Sequence, residues 1–128
     1  MCRLVDESSS HLFFTCDVAM GVWNMCNKWV GVSNVNHFMP RQHFNHFYLF
    51  GIDGKQNNAW KCMWMAVVWV IWKQRNNIIF SSGTIDNIEM FTVAQLKTWG
   101  WITTKFPKAE LSYSDWCLNP LSCLKSIR

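Results

Sequence analysis

Cys62-Met-Trp-Met-Ala-Val-Val-Trp-Val-Ile-Trp72 is an unbroken apolar run, bracketed by Lys61 and Lys73. A membrane-spanning helix needs about 20 consecutive apolar residues. This run has 11, so it reads as a helix buried in protein. The segment around it predicts a helix from Ala59 to about Phe80, with Asn58 as its cap. A helix apolar on nearly all sides belongs at the centre of a fold. Further along, Lys73, Gln74, Arg75, Asn76 and Asn77 are polar, and Ile78, Ile79 and Phe80 return to the core.

Two further helices are expected around this one. Ala19, Trp23, Cys26 and Val30 recur at i, i+4, i+7 and i+11, one face of a helix running from Asp17 to about Val30. Val22 and Trp29 widen that face. Asp17 suits the positive end of the helix dipole, and Gly31 is a stop signal. Asp86 with Glu89 three residues on resembles a helix-starting box. The helix it opens should reach about Lys105 before Phe106-Pro107 ends it, with Ile88, Phe91, Trp99 and Ile102 on the apolar face. Gly100 weakens it slightly.

Residues 31–58 read as irregular. Gly51-Ile-Asp-Gly54 marks a turn, and Phe38, Phe44, Phe47, Tyr48, Leu49 and Phe50 are candidates to dock the stretch on the core. Residues 108–128 show no clear period and read as an extended or loosely ordered tail.

Composition narrows the class. The 128 residues are 50% hydrophobic and 16% charged, too apolar for a disordered chain. Nine Trp and nine Phe leave much aromatic surface to hide. A net charge of +4 and a pI near 8.8 permit a polyanionic partner without requiring one. Six cysteines without a signal peptide point to a reducing, intracellular setting, nuclear or cytoplasmic, with thiols free or metal-bound. No Gly-rich phosphate loop and no G-x-S-x-G occurs, and the acidic residues are dispersed. An enzyme is not expected.

The amino-terminal stretch carries the chemistry. Cys2, His11 and Cys16 offer two thiols and an imidazole, ligand types that suit tetrahedral zinc. His11 and Cys16 are separated by four residues, the gap that closes a CCHC knuckle. Three ligands are visible where a closed site needs four; water, the Met1 amine, Asp6 or a partner's thiol would have to complete it. Such a knuckle would present Arg3 and Phe14 to unpaired bases and phosphates. Lys73 and Arg75 are further candidates for phosphate contact, against the alternative of a solvated helix end. Phe13 and Phe14 serve equally as core residues. Cys26 and Cys62 read as core thiols, and Cys117 and Cys123 as structural or incidental. His43-x2-His46 could face a metal from one helical turn, but surface histidines are the simpler reading.

Glu7-Ser-Ser-Ser-His-Leu-Phe-Phe-Thr-Cys16, followed by Ala19 and Val22-Trp23, resembles the zinc-binding region that follows the reverse transcriptase of plant non-LTR (LINE-type) retroelements. That pattern is similar to C-x2-C, a short polar loop and E-S-x2-H-L-F-x2-C. Val70-Ile-Trp-Lys-Gln-Arg-Asn-Asn-Ile-Ile-Phe80 resembles the family's I-W-x2-R-N-x2-I-F stretch, and Trp116-Cys-Leu-Asn-Pro120 a common ending. In this register Cys2 matches the second Cys of the C-x2-C pair, and the first would precede Met1. No polymerase motif is present.

The resemblance implies a mainly α fold: a short zinc-knuckle-like segment, about three helices, an irregular connection and a tail. It implies a partial zinc-binding domain over 1–107 and a tail over 108–128. It also implies zinc as cofactor, RNA or DNA as partner, and the body of a reverse transcriptase as neighbour in the parent polyprotein. The alternative is a protein-interaction or scaffold remnant, or a non-functional fragment, that binds no zinc. The interaction remnant would self-associate or dock through Trp60, Trp64 and Trp72.

Overall fold

The computed structural model describes residues 17–31, 40–81 and 87–127. The fold is mainly helical. Among the described residues six α-helices run in chain order: α1 (Asp17–Val30), α2 (Pro40–His46), α3 (Gly54–Ser81), α4 (Asn87–Lys105), α5 (Tyr113–Leu118) and α6 (Pro120–Lys125), with a 3-10 turn at Pro107–Ala109. Three are long, at the places the sequence predicts. Among the described residues no strand occurs.

The apolar run sits where its composition requires. Ala59, Trp60, Met63, Ala66, Val67, Val70 and Ile71 of α3 are all buried. α4 makes the most extensive contact with α3, and α1 packs on both. The two long helices run antiparallel. Lys55 near the start of α3 reaches the ring of Phe106 just beyond α4, whereas Trp69 further along α3 meets Lys97 earlier in α4. α1 ends at Gly31, whose φ of +76° suits glycine, with Gly31 N–H donating to Lys28 O. Ala19, Val22, Trp23, Cys26 and Val30 form its buried face, as predicted.

Other expectations are corrected. The start of α3 is not at Asn58, which is exposed inside the helix. Asp53 Oδ1 accepts from Gln56 N–H at 2.7 Å, and Gln56 Oε1 accepts from Asp53 N–H at 3.1 Å. This reciprocal box starts the helix one turn earlier than predicted. The buried residues of α4 are Met90, Ala94, Gln95, Thr98 and Ile102, whereas Ile88 is exposed. Small and hydroxyl side chains let α4 lie close to α3. The Thr98 hydroxyl is satisfied within its own helix by Ala94 O at 2.8 Å, so its burial costs little. Gln74, read as part of a polar stretch, is buried.

The stretch read as irregular contains α2 and then alternates. Phe47 and Leu49 enter the core, and Tyr48 and Phe50 face out. Phe38 lies outside the described residues. The tail is neither extended nor loose. Ser112 Oγ caps α5 by accepting from Asp115 N–H, and Pro120 opens α6. Trp116, Leu124 and Ile127 are fully buried.

A core so rich in indole has to satisfy its N–H groups, and three of them bond to backbone carbonyls. Trp29 Nε1 donates to Cys117 O at 2.8 Å, Trp99 Nε1 to Leu111 O at 2.9 Å and Trp116 Nε1 to Gln95 O at 3.1 Å. Each of these bonds also ties the carboxy-terminal segment to α1 or α4. Trp29 stands edge-on to Trp116 at 4.9 Å, and Phe47 stacks on Trp60 at 4.7 Å.

Candidate functional site

Cys2, Arg3, His11, Phe14 and Cys16 lie outside the described residues, immediately before α1. The Arg75 side chain also lies outside them. Lys73 is exposed on α3, with Nζ 5.4 Å from the centre of the Trp69 ring. Of the three tryptophans expected to dock a partner, Trp60 is buried and Trp64 is partly buried with Nε1 donating to His43 Nδ1 at 2.8 Å. Only Trp72, 49% exposed, is open to one.

Cys26, Cys62 and Cys123 are held toward the protonated thiol, whereas a metal ligand must be a thiolate. Burial pushes the Cys26 thiol far up. It also raises Cys62, against the pull of nearby Lys105, and it raises Cys123, with Asp115 adding to the effect. The histidines of α2 are committed elsewhere. His43 is buried against Trp23, with ring centres 4.3 Å apart, and its Nδ1 accepts the Trp64 N–H. His46 Nδ1 donates to Gln42 O at 2.8 Å. Among the described residues no three His, Cys, Asp or Glu side chains are grouped to hold a metal ion.

The geometry that sequence reading missed lies along the shared edge of α3 and α4. Trp69, 37% exposed, has two ammonium groups over its ring: Lys97 Nζ at 4.3 Å and Lys73 Nζ at 5.4 Å. Trp101, 43% exposed, stands one turn beyond Lys97 on the same side of α4. At the other end Phe106 also has two, Lys55 Nζ at 5.3 Å and Lys105 Nζ at 5.8 Å. There Lys105, Phe106, Pro107, Lys108, Ala109, Ser126 and Ile127 line a cleft of about 480 Å³. Gln56 Nε2 holds its far wall by donating to Lys125 O and Ile127 O, at 3.2 and 2.9 Å.

The charge is segregated. α3 and α4 together carry six basic residues and one acidic residue, Glu89. The rest of the chain carries six basic and seven acidic residues, so the basic excess of the whole molecule sits on this helix pair. A sequence signal existed. Lys55 and Lys73 are 18 residues apart, five turns of a helix and hence one face. What it could not reveal was that Lys97, Trp101 and Lys105 lie alongside.

Among the described residues no helix is long and apolar enough to cross a membrane. No known family model, curated protein or solved structure matches the chain.

Proposed function

We propose that this chain is a retroelement-derived accessory domain that binds zinc, contacts nucleic acid and lacks polymerase activity. The observation that carries this reading is the segregation of basic charge onto α3 and α4, where exposed tryptophans stand among the lysines. Polyanion affinity comes mainly from such clustered cations. The resemblance at Glu7–Cys16 supplies the metal. Zinc held by Cys2, His11 and Cys16 would tie down a segment too short for a core of its own, just before α1. Arg3 and Phe14 would then join Lys73 and Arg75 in contacting the strand.

The test is metal content together with binding. The purified chain should carry about one zinc per molecule, the single-site expectation. It should lose that zinc on His11→Ala, and it should bind RNA or DNA with an affinity that falls steeply as salt rises. Adding a Cys three residues before Cys2 should tighten zinc. A chain that binds neither metal nor polyanion would overturn the proposal.

One observation favours a second reading, a protein-interaction module. Phe50 is 92% and Leu118 77% exposed, and neither belongs to α3 or α4. That reading predicts concentration-dependent oligomers in sedimentation, insensitive to nucleic acid.

A further inference from the structure

We infer that an acidic, amphipathic helix of another protein docks along the outer face of α3. Its apolar stripe would cover Met65, Trp69, Trp72 and Trp101, and its carboxylates would reach the lysines around them. The inference goes beyond both readings above, since it needs neither zinc nor the surface of Phe50 and Leu118.

The apolar run of α3 has two sides, and the fold covers one. Trp60, Met63, Val67, Val70 and Ile71 face the core. Met65, Trp69 and Trp72 recur at i, i+4 and i+7 on the opposite side, where they are 55%, 37% and 49% exposed. A helix face that meets only water carries polar side chains. Trp101 of α4, 43% exposed, widens the patch. Lys97 of α4 reaches the Trp69 ring, and Lys105 lies near enough to Cys62 to act on its thiol. Trp101, midway between those lysines, is therefore level with Met65. Contiguous apolar surface of this kind marks an interaction site.

The rim of the patch identifies the partner's charge. Lys61 and Lys105 stand at one end, and Lys73 and Lys97 toward the other. Among the described residues each of these ammonium groups is met by a ring, that of Phe44, Phe106 or Trp69. An apolar centre within a polar rim is the anatomy of a protein interface, and Trp is prominent among the residues that carry its energy. A rim of one sign calls for a partner of the other. A second copy would set lysine against lysine.

The shape of the patch identifies the partner's backbone. An extended peptide would lay unpaired N–H and C=O groups on apolar side chains, and among the described residues no sheet edge exists to pair them. A helix satisfies its backbone internally and brings an apolar stripe of the same period. Lys61 and Lys73 are 12 residues apart, about 18 Å along α3, which three to four turns of a partner would span. A nucleic-acid strand finds less here. Trp69 already has lysines over its ring, and Met65 offers no flat surface to a base.

The experiment uses the full chain and a labelled synthetic helix of about four turns, with Leu along one stripe and Glu on both flanks. One control has the same composition scrambled, and another has Lys in place of Glu. By fluorescence anisotropy the Leu/Glu helix should bind with a Kd on the order of 1–100 µM, as small interfaces do. Both controls should bind at least about tenfold more weakly. Trp72→Ala should weaken binding about 30-fold and Met65→Gln about 5-fold. Lys61→Gln and Lys73→Gln should each weaken it and flatten its salt dependence. Lys28→Gln on α1 and Phe50→Ser should change neither. Circular dichroism confirms that each variant folds, and Met65→Gln keeps the test decisive if Trp72→Ala does not.

A striped helix bound no better than its scrambled control would overturn the inference. So would folded Trp72→Ala or Met65→Gln variants that bind it like the parent. Phosphatidylserine vesicles bound through Met65 and Trp72 in place of the helix would make this face a lipid surface, and dimers dissolved by Trp72→Ala would make it a contact between copies. Either result overturns the acidic helix. Zinc content and oligonucleotide binding decide the proposed function separately, whichever way the helix behaves.

Discussion

Asn57 shows how much a single buried amide can hold. Its Oδ1 accepts from Leu49 N–H at 2.8 Å and its Nδ2 donates to Leu49 O at 3.0 Å, so it closes both backbone groups of a residue entering the core. Replacing it would leave those groups buried and unpaired, at about 1–3 kcal/mol each. Asn57→Ala should therefore lower stability by about 2–4 kcal/mol in urea denaturation, and Asn57→Asp should not rescue it, because a carboxylate lacks the donor. Nothing in the sequence distinguishes Asn57 from its neighbour Asn58. One is buried and bonded across eight residues, and the other is exposed. Local chemistry is identical at the two positions, and only their angle around α3 differs. The same holds for Trp60 and Trp72, the first inside and the second half open.

At the scale of the element, helix cores were legible and helix ends less so. The run from Cys62 to Trp72 and the 3.6-residue period of α1 identified their helices. The first turn of α3 was hidden because Gly51–Gly54 carries turn residues, and the Asp53–Gln56 box overlaps them. That box has a measurable weight. Asp53→Ala should destabilise the chain by about 1 kcal/mol, and Asp53→Ser should recover most of the loss, as judged by the midpoint of thermal unfolding. α4 misled for a different reason. Its apolar residues are spread around the helix, and its buried face includes the small Ala94 and Thr98, of which Thr98 Oγ1 reaches Met63 Sδ of α3 at 3.3 Å.

For the whole molecule the decisive feature is the carboxy-terminal segment. Trp116 and Leu124 are completely buried, and the indoles of Trp29 and Trp99 donate to its backbone. A chain ending at Pro107 would uncover those rings and lose the wall of the cleft beside Phe106. Truncation there should abolish cooperative thermal unfolding, followed by circular dichroism. A truncated chain that melts as sharply as the full one would show that 108–128 is dispensable to the fold.

The sequence by itself determined that this is a helical protein with α1, α3 and α4 as its frame, because helix periodicity and the length of an apolar run are local properties. It also displayed the thiol and imidazole spacing near the amino end, which is a matter of chemistry along the chain. The tertiary structure decided which tryptophans are core and which are surface, and it placed Trp69 and Phe106 each under a pair of lysines. Two of those pairings, Lys97 with Trp69 and Lys55 with Phe106, join residues 28 and 51 positions apart. They exist only because two helices lie antiparallel in one register, a geometry set by packing across the core.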